Sequence, residues 1–413
     1  MLKVLKELIT TLEINLTYKM IRRLLLNIIY TLDLIFFKND RYILFSSQPD
    51  LDDNSFAFFK HIIECKKSTE KHKIIWLIDN IENKNIFKNK INNCINNLNA
   101  EIIIVSKNSL KGLYYYLKSK FVFFTHGIYL GVKIPRNHIV VNLWHGMPLK
   151  NIGYLDDKKV ISNSILTIST SSLYQEIMSK SFGIPSEDVL VTGQPRCDML
   201  FAKLDIRDIF NLGNDLDKII LWMPTYRFSM TGDKRLDGIF NNSLPVLSDK
   251  DLLILNNHLK IKKNYLIIKL HVMDMLNELE FIKYSNIKII KSDEFINLNI
   301  SVYELLANVD LLLTDFSSVY IDFLLTLKPV GFLFDDIESY VSTRGFVFEN
   351  YKEYMPAVEI NNLNSLLAFL DEVFVNDIFE EKRLKLQDLL HEKKKNFSLN
   401  LFNELNERFS FLR

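Results

Sequence analysis

The chain has 413 residues, of which 48% are hydrophobic and 24% are charged. This composition is typical of a globular protein and excludes a disordered chain, and the length predicts two domains. A formal net charge of +1 creates no strong overall field that would attract nucleic acid. Three cysteines without metal-ligand spacing favour a reducing compartment over a disulfide scaffold: Cys65, Cys94 and Cys197.

The N-terminal segment combines apolar and basic residues. Met20–Phe37 is an apolar stretch almost long enough to span a bilayer, but it contains Arg22, Arg23 and Asp33. Each such charge costs about 2.5–3.5 kcal/mol in the hydrocarbon core, and no small-residue cleavage site follows. We therefore predict that residues 1–40 form a basic amphipathic helix on an anionic membrane surface. The alternative is an ordinary helix packed on the domain.

Short apolar runs, rich in β-branched and aromatic residues, follow this segment. Such runs are typical of strands that are buried on both faces. Helix-like segments lie between them, for example Ser55–Lys66 and Ser109–Lys118, and this alternation predicts an α/β fold with a parallel, doubly wound sheet. The runs are Arg41–Ser47, Lys73–Asp79, Glu101–Ser106, Lys120–Gly127, His138–Gly146, Ile165–Thr170 and Val189–Pro195.

A second series of apolar runs follows the polar segment Asp205–Lys218, which is the predicted linker. Helical patterns at Ser301–Asn308 and Val319–Thr326 separate some of these runs, and an amphipathic helical tail is predicted from about Asn364 to the end. The runs are Lys218–Arg227, Tyr265–His271, Ile287–Asp293, Val309–Ser318 and Lys328–Asp336.

Two series of this kind predict two Rossmann-like domains that face each other across a cleft. We place the first domain at residues 41–205 and the second at residues 206–413. In doubly wound sheets, ligands bind beyond the carboxyl ends of the strands. Most of the polar motifs described next fall at such strand ends.

The motif LWHGMPLK places His145 at the end of one run. Gly146 permits a close backbone approach, Pro148 stiffens the loop, and Lys150 adds a positive charge. A histidine with its ordinary pKa of about 6.5 can accept a proton at neutral pH, which predicts a general base. The alternative is a histidine that packs or caps a loop.

The motif TDFSSVYID, at Thr314–Asp322, leads from a strand into a helical pattern. Ser317 and Ser318 would stand beside unpaired backbone N–H groups at a helix start, which predicts a phosphate contact. Plain N-capping is the alternative. Neither GxGxxG nor a Walker A motif occurs in the chain, so dinucleotide oxidoreductase and P-loop chemistry are not favoured.

Two further strand-end segments carry basic residues. Lys269 and His271 could hold a diphosphate, and the fork of Arg344 fits phosphate oxygens, although surface or packing roles are the common alternative. No carboxylate cluster suggests a metal site, because Asp335 and Asp336 are interpreted as turn residues. We therefore predict activity without a metal or another cofactor.

The order of these motifs resembles the CDP-glycerol glycerophosphotransferase family of teichoic acid synthesis, which includes ribitolphosphotransferases and capsule enzymes. WHGMPLKNIG resembles the family's WHGTPLKxIG, GQPRCD resembles GYPRND, MPTYR resembles APTWR, and TDFSSVYIDF resembles TDYSSVxFDF. KPV and RGF follow in step, and DDNSFAFFKHI resembles the family segment around Asn54. The likeness covers about residues 42–360, in order.

The resemblance implies a GT-B-type fold and the transfer of an alditol phosphate, glycerol phosphate first, from a CDP-activated donor. The acceptor would be a hydroxyl of a lipid-linked or polysaccharide chain, CMP would be released, and the enzyme would be peripheral on the cytoplasmic face of the membrane. His145 corresponds to the family's proposed base. His271 corresponds to the histidine of an HP pair that contacts the donor diphosphate, although Val272 follows it here.

The remaining predicted site residues divide into two sets. Those expected to bind donor or phosphate are Thr314, Asp315, Ser317, Ser318, Arg344, Arg227 and Lys269. Those expected to contact acceptor or support loops are Gly146, Lys150, Arg196 and Asp198.

Two other functions fit the same features. The first is a GT-B glycosyltransferase that uses a nucleotide sugar, since only donor chemistry separates it from the family above. The second is a non-catalytic scaffold of envelope assembly. Within the family, the short helical segment before the catalytic part favours a primase or a capsule enzyme over a polymerase, by analogy alone.

Overall fold

The computed structural model describes most of the chain. The described residues are 20–64, 72–94, 100–129, 131–156, 163–213, 215–224, 244, 246–270, 284–290, 294–295, 298, 300–334, 337 and 345–412. Residues 1–19 of the predicted membrane segment, Cys65, and the predicted turn residues Asp335 and Asp336 lie outside this set. Cys94 is described only in its backbone, and Cys197 is buried with a free thiol.

The first sheet is built from the first series of apolar runs. Its strands are β1 (Asn39–Ser46), β2 (Lys73–Ile78), β3 (Glu101–Ser106), β4 (Ser119–Phe124), β5 (Ile139–Asn142), β6 (Leu166–Ser169) and β7 (Val189–Val191). They lie in the order β3-β2-β1-β4-β5-β6-β7, and neighbours run parallel. Both faces are covered: Ile43 and Phe45 belong to one core cluster, and Leu44 between them belongs to another.

The second sheet repeats this topology. Its strands are β8 (Lys218–Met223), β9 (Asn264–Lys269), β10 (Ile287–Ile290), β11 (Leu311–Thr314), β12 (Val330–Leu333) and β13 (Glu359–Ile360). They lie in the order β10-β9-β8-β11-β12-β13, again parallel. The predicted parallel, doubly wound α/β architecture is therefore confirmed. The two-residue strand β13 is too short to produce a periodic signal, and the sequence did not predict it.

The helices of the first half begin where polar side chains can cap them. Ser109 and Ser171 accept hydrogen bonds from backbone N–H groups at the starts of α4 and α5. The helices are α1 (residues 20–35), α2 (Asp53–Glu64), α3 (Lys84–Cys94), α4 (Leu110–Lys118) and α5 (Ser172–Phe182). Within the described part of the chain, no helix combines the length and the apolar character that crossing a membrane requires.

The helices of the second half include two that begin with capping boxes, at Ser248 and Ser301. Asp205 caps the short helix in the predicted linker, so this segment is ordered rather than extended. The helices are α6 (Ile206–Phe210), α7 (Asp249–Ile261), α8 (Val302–Asn308), α9 (Val319–Phe323), α10 (Leu363–Glu372), α11 (Glu380–Leu390) and α12 (Phe397–Phe409).

The predicted helical tail is divided into α10, α11 and α12. The last of these helices, α12, packs against the first sheet: Leu401 and Leu405 belong to a core cluster of that sheet. Asp198, which follows β7, fixes the start of α12, because its carboxylate accepts the N–H groups of Phe397 and Ser398 at 2.8 and 2.9 Å. The division at residue 205 stays a prediction, and α12, which follows that residue in the chain, packs on the first sheet.

Candidate active site

A tight turn follows β5 and carries His145. Trp144 adopts a left-handed backbone conformation at φ +49°, and Gly146 has φ +135°. Three hydrogen bonds hold the turn: the side-chain amide of Asn54 donates to the carbonyls of Leu143 and Trp144, each at 3.0 Å, and the Trp144 N–H donates to the Asn142 side chain at 2.9 Å. The segment around Asn54 thus fixes the loop that presents the histidine.

The imidazole of His145 is partly buried between neighbouring rings and one carbonyl. Its Nδ1 lies 3.3 Å from the carbonyl oxygen of Thr125. A carbonyl can only accept, so Nδ1 carries the proton and Nε2 carries the lone pair. The ring is stacked on that of His126, with centroids 4.0 Å apart and planes at 12°, and its centroid lies 3.9 Å from that of Trp144.

The surroundings of His145 keep it neutral. Burial lowers the pKa of His145 well below the ordinary value of 6.5, and the nearby basic side chains of His126, Arg196 and Lys150 lower it further. The hydrogen bond with Thr125 acts in the opposite direction but is outweighed. The imidazole is therefore a free base at neutral pH, with the unprotonated Nε2 available to accept a proton.

The turn that carries His145 touches the TDFSS loop of the second sheet. A Cβ atom built on Gly146 would lie 2.4 Å from Oγ of Ser318 and 2.9 Å from Nη2 of Arg196. Only a glycine fits there, because of both this contact and the positive φ. Ser318 lies at the start of α9 but makes no side-chain capping hydrogen bond, while Ser317 Oγ accepts a long one, at 3.4 Å, from the Val319 N–H.

A second contact joins the same turn to the loop that follows Arg344. Lys150 and Phe346 form an antiparallel bridge. The N–H of Val347 donates to the Leu149 carbonyl at 2.9 Å, and the N–H of Asn151 donates to the Gly345 carbonyl at 3.2 Å. Backbone hydrogen bonds therefore connect the segment after β5 with the segment after β12.

A buried ionic network lies beside this contact. The guanidinium of Arg196 donates to Asp53 and to Asp322, each at 2.7 Å. Asp322 also accepts from the hydroxyl of Tyr303 at 2.6 Å and from the side-chain amide of Gln194. Since Arg196 and Asp53 follow strands of the first sheet, whereas Tyr303 and Asp322 lie on α8 and α9, the network ties the two sheets together.

The predicted residues fall into two groups: some lie at the contact between the two sheets, and others support the fold. His145, Gly146, Lys150, Ser317 and Ser318 lie together where the two sheets meet. Thr314 is fully buried and donates its hydroxyl to the Met223 carbonyl at 2.9 Å, so it supports the sheet. Asp315 is also buried, Asp198 caps α12, and Lys269 is half-buried with Nζ 5.4 Å from the Phe295 ring centroid.

Three predicted residues, Arg227, His271 and Arg344, lie outside the described residues, and their roles stay predictions. Among the residues that the structure does describe, no group of three or more His, Cys, Asp or Glu side chains is arranged to hold a metal ion.

Two functional candidates, His126 and Asp322, were not predicted from the sequence. His126 precedes the last residue of the run Lys120–Gly127, so it stands before a glycine as His145 does, and the signal was present in the sequence. Asp322 lies within the motif TDFSSVYID, but its partner Arg196 is 126 residues away along the chain, and no local pattern predicts that pairing.

Comparison with known proteins supports the resemblance found in the motifs. The chain is 28% identical over 340 residues to a teichoic acid poly(glycerol phosphate) polymerase of Bacillus spizizenii (strain ATCC 23059 / NRRL B-14472 / W23), covering 76% of this chain and 78% of that protein. It is 31% identical over 221 residues to the teichoic acid glycerol-phosphate primase of Bacillus subtilis (strain 168), covering 52% of this chain and 51% of the primase. The chain thus spans about half the length of the primase.

A solved structure and a family model extend this likeness. The wall teichoic acid polymerase TagF superposes with a TM-score of 0.70 at 20% identity, covering 95% of this chain and 98% of that chain, which confirms the predicted GT-B-type fold. The model of the family described as CDP-Glycerol:Poly(glycerophosphate) glycerophosphotransferase matches residues 28–393. The chain belongs to this glycerophosphotransferase family.

Proposed function

We propose that the chain transfers an alditol phosphate, glycerol phosphate first, from a CDP-activated donor to a hydroxyl of a lipid-linked or polysaccharide acceptor, and releases CMP. Membership of the glycerophosphotransferase family supports this reaction class. The observation that carries the proposal is the neutral imidazole of His145, oriented by the Thr125 carbonyl, in a turn that touches the serine loop of the second sheet.

The proposed chemical step is a displacement at phosphorus. Nε2 of His145 takes the proton of the acceptor hydroxyl as its oxygen attacks the phosphorus that carries the alditol. The bond from that phosphorus to the bridging oxygen breaks, and its electron pair leaves with CMP. The proton on the imidazolium then returns to solvent. General base catalysis of this kind contributes about 10²–10⁴-fold to the rate.

Charge on the phosphoryl oxygens needs stabilising donors. The hydroxyls of Ser317 and Ser318 lie half-buried beside the His145 turn and are the described groups best placed to donate. Arg196 is engaged by two carboxylates, so we assign it a supporting role. Arg344 and His271 stay the predicted diphosphate contacts, and Arg227 stays a predicted donor-binding residue.

We further propose that the protein attaches to the cytoplasmic face of an anionic membrane, where a lipid-linked acceptor would lie. The outer face of α1 supports this location. Several of its large apolar side chains are exposed, and Arg22 and Arg23 lie among them: Met20, Ile21, Leu24, Leu25, Ile28, Leu34 and Ile35. An exposed apolar stripe with basic residues is typical of a helix that lies in a membrane interface.

The experiment that tests the reaction is a product screen. CDP-glycerol and CDP-ribitol are supplied with lipid-linked acceptors, with and without a chelator, and CMP is measured. Nucleotide sugars are run in parallel, and their released nucleotides are measured. We expect acceptor-dependent CMP release that survives the chelator. Release of nucleotide from a sugar donor, with none from either CDP-alditol, would instead identify a glycosyltransferase.

A further inference from the structure

His126 lies in direct contact with the proposed base. It is the last residue but one of the run Lys120–Gly127, and its side chain is exposed. Its ring stacks on that of His145 with centroids 4.0 Å apart and planes at 12°. A stacked pair of imidazoles beyond the carboxyl ends of β4 and β5, one exposed and one partly buried, is a specific arrangement that the reaction scheme above does not use.

We propose that His126 is a positioning residue for His145. Its stacked ring fixes the plane of the base, and a proton on His126 disfavours a proton on His145. This inference rests on the proposed function, because it assigns His126 a role in the proton transfer that His145 performs.

Thr125 links the two rings. Its carbonyl oxygen accepts the hydrogen bond from Nδ1 of His145, at 3.3 Å, and its hydroxyl lies 2.9 Å from Nδ1 of His126. One residue thus orients both imidazoles, and the backbone at the end of β4 determines where they lie. With Trp144 also against the ring, His145 can rotate little, and its Nε2 keeps one direction.

The charges around His145 support the electrostatic part of the proposal. The groups that face it are His126 from the end of β4, Arg196 from the segment after β7, and Lys150 from its own loop. Arg196 is neutralised by Asp53 and Asp322, each at 2.7 Å. His126 differs from both cations because it is a second imidazole, and its ring lies directly on that of His145.

Two variants separate ring contact from charge. His126→Phe keeps a flat ring that can stack, but it cannot take up a proton. His126→Ala removes both properties. His258→Gln is the matched control, because His258 lies on α7 of the second sheet beside Asp371, away from the site. Folding of each variant is checked by its melting temperature.

The first readout is the pH dependence of single-turnover CMP release. In wild type we expect the rate to fall only when the pH drops through the lowered pKa of His145. We expect His126→Phe to retain most of the plateau rate but to lose activity at a pH about half a unit or more higher, since a repelling charge is gone. His126→Ala should also lower the plateau, by about tenfold or more, because the ring is less well oriented. His258→Gln should match wild type.

The second readout does not need turnover. The imidazole C–H resonances of His145, assigned with His145→Gln, are followed by NMR as the pH is changed. We expect the midpoint of His145 to rise in His126→Phe. An unchanged midpoint, or equal plateau losses in the alanine and phenylalanine variants, would overturn the proposal. Failure of the proposed function has a different signature: wild type releases no CMP, or His145→Gln turns over normally, whatever the titration of His145.

Discussion

His145 is the side chain on which the proposed chemistry depends, and replacing it tests that chemistry most directly. His145→Gln keeps hydrogen-bonding capacity and approximate size but cannot accept the proton. We expect its single-turnover rate to fall by at least about 10², with donor affinity nearly intact, because the lost interaction forms only in the transition state. His145→Ala should be similarly slow. The measurement is single-turnover transfer together with a donor-binding titration.

The contrary result has a clear physical meaning. If His145 only buttresses the turn beside Trp144, the alanine variant will have a lower melting temperature, and glutamine will restore much of the rate. Near-wild-type turnover by the glutamine variant would remove the general-base role. In wild type, the rate should be flat near neutral pH and fall only in acid, because burial holds the pKa of His145 well below 6.5.

A substitution of Gly146 tests the contact between the two sheets, because it adds a single atom there. Gly146→Ala adds a Cβ that would lie 2.4 Å from Ser318 Oγ, at a backbone φ of +135° that side chains disfavour. We expect a marked loss of transfer rate at a smaller loss of stability, measured by turnover and melting temperature.

Gly213→Ala is the matched control for this substitution. There an added Cβ would also meet an oxygen at 2.4 Å, but that oxygen belongs to the exposed side chain of Asp215, which can rotate away. Equal activities of the two alanine variants would show that the approach of Ser318 to the turn does not matter for transfer.

Individual site residues were predictable from sequence only where a local pattern marked them. His145 and Ser318 stand at strand ends beside glycine or at a helix start, and such positions are visible in the chain. Thr314 stood in the same pattern, but its hydroxyl turns inward to Met223. Side-chain direction depends on the neighbouring strand, β8, which the motif itself does not contain.

The position of the helix α1 depends on residues near it in the chain and on residues far from it. In the sequence, Asp33 interrupts an apolar stretch. In the structure Asp33 is fully buried, where it pairs with Lys38 and accepts a hydrogen bond from Nδ1 of His138 at 2.9 Å. The inner face of the helix is therefore anchored by a buried charge pair, while its outer face remains apolar and exposed.

This anchoring makes point substitutions a sharper test of membrane attachment than a deletion of residues 1–40, which would also remove Asp33 and Lys38 from the core. Leu24 and Leu25 are 60% and 54% exposed. We expect Leu24→Glu with Leu25→Glu to move the protein from the pellet to the supernatant with anionic liposomes, because each change removes apolar contact and adds repulsion. High salt should weaken binding of the wild type.

Leu253→Glu with Ile254→Glu is the control for that experiment. These residues are 49% and 51% exposed on α7, so the double change adds the same charge to a different exposed apolar surface. Sedimentation of the α1 variant at the wild-type level would contradict the proposed membrane contact, and loss of binding in both double variants would attribute it to net charge alone.

The positions of the strands along the chain and their parallel direction were the parts of the structure that sequence predicted best. Strands such as β3 and β9 are continuous apolar runs with polar ends, and helices capped by serine lie between several of them. The destination of α12 was not predictable, because its amphipathic pattern fits either sheet. Asp198 caps the N–H groups of α12, and Leu401 packs in a core cluster of the first sheet. Both contacts place α12 on the first sheet, and both involve residues that are far from α12 in the chain.

The hydrogen-bond network around Arg196 connects the two sheets at the candidate site. Asp322→Asn removes a carboxylate that accepts from Arg196 and Tyr303, and places amide hydrogens among donors. Breaking a buried ion pair on one side costs about 3–5 kcal/mol, because a charge stays buried with fewer partners. We expect a loss of this size in the free energy of unfolding in urea.

The control and a graded variant complete this test. Asp388→Asn breaks the exposed pair with Lys394, 2.8 Å apart, and should change the free energy of unfolding by about 1 kcal/mol or less. Tyr303→Phe removes one neutral donor to Asp322, at an intermediate cost of about 1–2 kcal/mol. Because Arg196 Nη2 lies beside Gly146, the Asp322 variant should lose transfer rate as well as stability. An Asp322→Asn protein that unfolds at the wild-type urea concentration would show that the network does not couple the sheets.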